Sequence, residues 1–282
     1  MDATACTSFA SHRRIARARA WLMARAPAEE LLIIGANLDA ANELARAVAQ
    51  TTGGAFGGHR FTLAQLAAAL AAPTMAARGI VPAGRLGVEA IVCRAVHALG
   101  PGGALGRYAC IVKAPGFPRA IANVLTEIRL AAVGPEVLGK VAPDLLLLLR
   151  AYEAELAEGK FTDWPGMLTI AAETAADCST TTRRLMQLPM LLLDVRIASK
   201  AELDLLATLR SSASDLSPVF GTGFDLRSKI WMKGSPLQGT VETTARWRVC
   251  SVTCLTRKPP WPYHRATIRC SSSRRRAKAG NA

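Results

Sequence analysis

Residues Leu31–Ala45 read LLIIGANLDAANELA: four apolar residues, a glycine, four more residues and then a helix-forming run. That layout belongs to a buried strand, a short loop and an amphipathic helix. Asn37 or Asp39 is placed to cap the helix, which the pattern carries over Ala40–Gln50. A Gly-rich turn in TTGGAFGGHR (residues 51–60) then leads to Phe61 and a second helix over Leu63–Ala71.

Working outward, the next hundred residues read as helical. Ile121, Val124, Leu125 and Ile128 fall at i, i+3, i+4 and i+7, and Leu145, Leu148, Leu149, Tyr152 and Leu156 make a second such face. Near residue 190, LPMLLLDV forms a second buried strand closing on Asp194, with a helix following over Lys200–Leu209. Strand, helix, helical block, strand and helix give an α/β core with a mostly helical insertion. The expected boundaries are 1–83 for the first part of the core, 84–185 for the insertion, 186–213 for the return to the core, and 214–282 for a tail.

The tail stands apart in composition. Alanine supplies 46 of the first 210 residues but 6 of the last 72, and three of the five tryptophans (Trp231, Trp247, Trp261) lie beyond residue 210. Of the net charge of +14, residues 211–282 carry 13 Lys/Arg against 3 Asp/Glu, while residues 1–210 carry 22 against 18. Two readings account for this: a basic arm that meets nucleic-acid phosphates through Arg274–Arg276 and Lys278, or the product of a shifted reading frame, which the abruptness of the change favours. Cys250, Cys254, His264 and Cys270 match no common zinc spacing, so no metal site is expected.

The remaining composition narrows the class. With 282 residues, half of them apolar, the chain is long enough for a substantial core. No apolar run approaches the ~18 residues of a membrane span. The Arg-rich stretch SHRRIARARAWLMARAP (residues 11–27) reads as a first helix rather than a targeting peptide. Seven irregularly spaced cysteines suggest reduced thiols and a cytoplasmic setting; Cys93, Cys110 and Cys178 read as buried small hydrophobes.

The glycine of the opening stretch invites comparison with a phosphate-binding loop, G-x-x-x-x-G-K-[ST], in which backbone N–H groups cradle phosphates, the lysine reaches them and the hydroxyl binds magnesium. Gly35 fits the first position. Ala40 replaces the second glycine, Ala41 the lysine and Asn42 the Ser/Thr. The partner strand ends in Asp194, suited to hold magnesium, with Val195 where a water-activating Glu would follow. Gly35, Asn42 and Asp194 therefore outline a degenerate nucleotide site, with a degenerate Walker A loop, no catalytic residue and no bound cofactor expected. Arg60, Phe61 and Thr62, beside His59, are the candidate contacts to single-stranded nucleic acid, pairing charge with a stacking face. Arg119, Arg129 and Lys113 are weaker candidates for a phosphate track.

Five stretches, EELLIIGANLDAANELA (29–45), GGHRFTLAQLAAALA (57–71), APGFPRAIANVLTEIRLAAVGPEVL (114–138), DLLLLLRAYEAELAEGKFTDWPGMLTIAA (144–172) and LPMLLLDVRIASKAELDLLATL (188–209), together resemble the N-terminal, superfamily 1 helicase-like region of AddB-type subunits of bacterial ATP-dependent helicase/deoxyribonucleases, the PD-(D/E)XK or exonuclease V-like family. The resemblance covers residues 13–210. It implies a P-loop NTPase-type fold, a role in DNA recombination and repair, and two partners, DNA and a helicase–nuclease subunit. It also implies a scaffold or DNA-path domain in front of a nuclease domain, for which this chain carries no motif. Of the family's D-E-x-Q-D stretch only Asp194 carries over, followed here by Val195, Arg196, Ile197 and Ala198. A divergent ATPase that uses Asp194, and a basic nucleic-acid-binding protein acting through its tail, are the competing expectations.

Overall fold

A computed structural model describes residues 6–54, 57–100, 105–177 and 182–220. By compactness the chain divides into residues 1–239 and 240–282, and all described residues belong to the first unit. The tail from residue 221, with the basic run, the cysteine–histidine set and its three tryptophans, lies outside the described residues, as does Cys178.

In chain order the elements are β1 (Cys6–Thr7), α1 (Ser11–Met23), β2 (Leu31–Gly35), α2 (Leu38–Thr52), β3 (Gly58–Thr62), α3 (Leu63–Arg78), β4 (Val81–Pro82), α4 (Arg85–Leu99), α5 (Phe117–Leu130), α6 (Pro135–Val141), α7 (Pro143–Glu158), β5 (Phe161–Thr162), α8 (Trp164–Ala176), α9 (Arg183–Met186), β6 (Met190–Leu193), α10 (Lys200–Ser212) and β7 (Leu216–Phe220). Five strands form one parallel sheet in the order β1-β7-β6-β2-β3, and β4 and β5 pair separately. The result is a mixed α/β fold.

The sheet is buried on both faces because its central strands are continuously apolar, the signature of a parallel sheet covered by helices. Alternation sorts their side chains. Leu32, Ile34, Met190 and Leu192 point to the face covered by α3, α8 and α10. Leu31, Ile33, Leu191, Leu193 and Val219 point to the face covered by α1 and α2. A third core lies among α4, α5, α6 and α7, centred on Val92, Leu125, Leu148 and the fully buried Tyr152. This is the helical insertion. Helix α8, which lies within the span expected for the insertion, packs instead on α3 and α10 against the sheet.

Local chemistry sets the helix starts. Asn37 Oδ1 accepts from Ala40 N at 2.7 Å, so α2 begins at Leu38 and Asn37, rather than Asp39, is its cap. Thr62 and Gln65 form a reciprocal capping box at α3, as do Ser199 and Glu202 at α10. Two strands were not legible. Gly58–Thr62 reads as the end of a Gly-rich turn yet forms β3, held in register by β2 from Leu31↔Gly58 to Gly35↔Thr62. Leu216–Phe220 falls in the expected tail yet forms the fully buried β7 between β1 and β6.

Cys93 and Cys110 are exposed, not buried as expected. Helix α4 turns Ile91, Val92, Ala95 and Val96 inward, which leaves Cys93 on its outer side. Among the described residues, no helix is long and apolar enough to cross a membrane.

Candidate functional site

In parallel α/β sheets the ligand crevice opens at the carboxyl ends of neighbouring strands whose following helices depart to opposite faces. Here β2 and β6 are that pair: α2 returns on one face and α10 on the other. Their ends are tied side by side by Ala36 N donating to the Leu193 carbonyl at 2.9 Å, while Asp194 N donates to the Val219 carbonyl of β7 at 2.8 Å. The crevice therefore brings Gly35 and Asp194 into one neighbourhood.

What surrounds them is a closed set of internal contacts. Only Ala36 and Asn37 separate β2 from α2, a connection shorter than a phosphate loop of the G-x-x-x-x-G-K type. Gly35 is needed because a Cβ there would stand 2.6 Å from the Asn37 carbonyl oxygen and 3.2 Å from the Ala41 Cβ. The positions matching the second glycine, lysine and hydroxyl, Ala40, Ala41 and Asn42, all lie inside α2. The Asn37 side chain occupies the Ala40 N–H, one of the donors a helix start would offer an anion.

Asp194 is held just as firmly. It adopts φ 52°, a left-handed conformation uncommon outside glycine, asparagine and aspartate. Its carboxylate Oδ1 lies 2.7 Å from Arg14 Nε of α1. The same guanidinium donates through Nη1 to the carbonyls of Ser8 at 2.7 Å and Phe9 at 3.0 Å. A full positive charge of the protein itself thus sits against the acid expected to hold magnesium. Val195 is 4% exposed and packs in the core beneath α10, where a water-activating carboxylate could not be accommodated without a partner.

Asn42 does not join this crevice. With Arg60 it lines a separate cleft of about 430 Å³ between α2 and the β3 edge, whose lining does not include Asp194. The three residues expected to meet nucleic acid are themselves separated. Alternation along β3 sends Arg60 and Phe61 to opposite faces; Arg60 is exposed over the cleft, whereas Phe61 packs against the core beneath α3. Thr62 Oγ1 accepts from Gln65 N at 3.2 Å and is the α3 cap. Charge and aromatic ring therefore do not share one surface.

A polar cluster that the sequence reading missed joins the insertion to the core. Asp163, 2% exposed, caps α8 by accepting from Gly166 N at 2.9 Å. It also receives the Tyr152 hydroxyl at 3.0 Å and Arg129, with Nε 3.0 Å from Oδ2 and Nη2 3.2 Å from Oδ1. Arg129 further binds Glu153. Burial, and then the adjacent Asp163 carboxylate, push the Tyr152 hydroxyl pKa well above its ordinary range. With two carboxylates on it, Arg129 is a tie between α5, α7 and α8 rather than part of a phosphate track. Arg119 stands 3.9 Å from Glu89, and Lys113 is exposed. The sequence signal was present in two pieces, Tyr152 on an apolar helix face and Asp163 directly before Trp164–Pro165 at a helix start.

Among the described residues no group of three or more His, Cys, Asp or Glu side chains is placed to hold a metal ion. No protein-family model matches the chain, and a comparison with curated proteins finds no match.

Proposed function

We propose that this chain carries a catalytically silent, helicase-like α/β domain with a degenerate P-loop-type crevice. It serves as a scaffold or DNA-path element of a DNA recombination and repair helicase–nuclease of the PD-(D/E)XK exonuclease family. The observation that carries the silent-site reading is the Arg14–Asp194 pair, which supplies from α1 the positive charge that a magnesium ion would otherwise bring. The Asn37 cap and the short β2–α2 connection support it from the other strand. The DNA role rests on the resemblance of residues 13–210 to the helicase-like region of that family.

The test is binding of a labelled oligothymidylate to the full chain with and without Mg-ATP, at low and high salt. A scaffold on a DNA path binds weakly, loses affinity as salt rises, and is indifferent to ATP. Neutralising Arg274–Arg276 and Lys278 together separates the domain from the tail. Binding that vanishes with those four charges assigns the interaction to the tail, and no binding at any salt removes the DNA role.

A further inference from the structure

We propose that the free edge of β3, together with the cleft beneath α2, is a docking site for an extended polypeptide segment in which apolar and acidic residues alternate. Among the described residues β3 pairs with β2 alone; the Thr62 N–H is taken by Gln65 Oε1 at 2.9 Å, which leaves the outward backbone groups of Gly58 and Arg60 to pair with a further strand. Such strands usually read a partner by main-chain pairing plus pockets for alternate side chains.

The pocket is present because Gly58 has no side chain. A Cβ there would meet nothing closer than the Leu31 Cδ1 at 4.0 Å. Ala45 and Ala49, one turn apart on α2, leave the opposite wall equally small, and Leu31 and Ile33 make the floor. The space of about 430 Å³ takes an apolar side chain entering beside Gly58. Two residues further along the same face of β3 stands Arg60, exposed and with no ion-pair partner among the described residues. In an added strand, side chains two apart also share a face. An apolar residue opposite Gly58 therefore brings its second neighbour opposite Arg60, where a carboxylate completes the pair. The other charges of the lining are paired, Arg25 with Glu29 and Asp215 and Arg46 with Glu43, so Arg60 selects an acidic segment over a basic one; among the described residues the lining holds no aromatic ring on which a nucleobase could stack. The docking site does not depend on the helicase-like reading, since neither Gly58 nor Arg60 takes part in the Arg14–Asp194 contact.

The experiment uses the full chain and a short fluorescein-labelled peptide alternating leucine and glutamate, read by anisotropy, with the leucine–lysine peptide as control. The acidic peptide is expected to bind and the basic one not. Gly58→Leu, which fills the pocket, weakens binding about tenfold, as does Arg60→Glu, which also transfers preference to the leucine–lysine peptide. Arg60→Gln, with unchanged circular dichroism, gives the loss without the transfer. Equal binding of both peptides, or acidic-peptide binding that survives Gly58→Leu and Arg60→Glu, overturns the proposal. Binding of oligothymidylate that is lost in the same variants assigns the cleft to nucleic acid and overturns it equally.

Discussion

Arg14 on the first helix and Asp194 at the end of β6 are 180 positions apart in the chain, yet their side chains meet at 2.7 Å. The ion pair draws α1 to the carboxyl end of the sheet, and the left-handed backbone conformation of Asp194 favours a short polar side chain there. These two effects can be separated by substitution. Asparagine tolerates that conformation and removes the charge, whereas alanine loses both. We expect Asp194→Asn to cost about 1 kcal/mol and Asp194→Ala about 1 kcal/mol more, by urea denaturation. Equal costs would show that the backbone conformation contributes nothing.

Gly35 tests whether the turn after β2 is a packing device. Its missing Cβ leaves room for a backbone carbonyl 2.6 Å away, and that atom has no flexible side chain to swing aside. Gly35→Ala should destabilise the fold by ~1–3 kcal/mol, whereas Gly58→Ala, in open space, should change stability by less than about 0.5 kcal/mol.

The Asp163 cluster predicts a large and chemically specific cost. Removing the carboxylate in Asp163→Ala leaves Arg129 short of its buried partner and α8 without its cap, a loss of ~3–5 kcal/mol. Glu153→Ala, whose carboxylate is half exposed, should cost under about 1 kcal/mol. If the two variants melt together, the cluster does not hold the insertion to the core.

Tyr152 gives that cluster a pH signature. Its hydroxyl keeps its proton in the folded state to a pH well above its ordinary pKa of 10.0. The unfolded chain loses that proton first, so above pH 10 the folded state binds more protons and stability falls as pH rises. The contribution is full below pH 10 and declines above it. Tyr152→Phe should be less stable at neutral pH, through loss of the bond to Asp163, and show a shallower decline between about pH 10 and 12. Parallel curves for the two proteins would contradict the placement of Tyr152.

Thr62 separates capping from ligand binding. Thr62→Ala should cost ~1 kcal/mol of stability through the lost capping box and leave oligothymidylate affinity unchanged. A loss of affinity with intact stability would restore Thr62 as a contact.

The parts of the fold legible in the sequence are those whose signal is local and periodic. Leu31–Ile34 and Met190–Leu193 are unbroken apolar runs, and the faces Ile121–Ile128 and Leu145–Leu156 repeat at helical spacing, so strands and insertion both emerge. β3 and β7 do not, because their order comes from neighbours. Gly58–His59–Arg60 has no strand composition and is ordered by pairing with β2, and Leu216–Phe220 contains Ser217 and Pro218 and is identified by burial between β6 and β1. The candidate site was legible as positions but not as contacts. Gly35 and Asp194 do approach one another, while the partner that decides their chemistry, Arg14, lies in an Arg-rich stretch where nothing distinguishes it from Arg13 or Arg17.

Whether the crevice is silent is read from steady-state ATP turnover of the full chain with magnesium and oligothymidylate, alongside Asp194→Asn. A silent crevice gives turnover indistinguishable from buffer and from the variant. Turnover by the native chain that Asp194→Asn abolishes would contradict it, and would make Asp194 a metal-holding residue of a working ATPase.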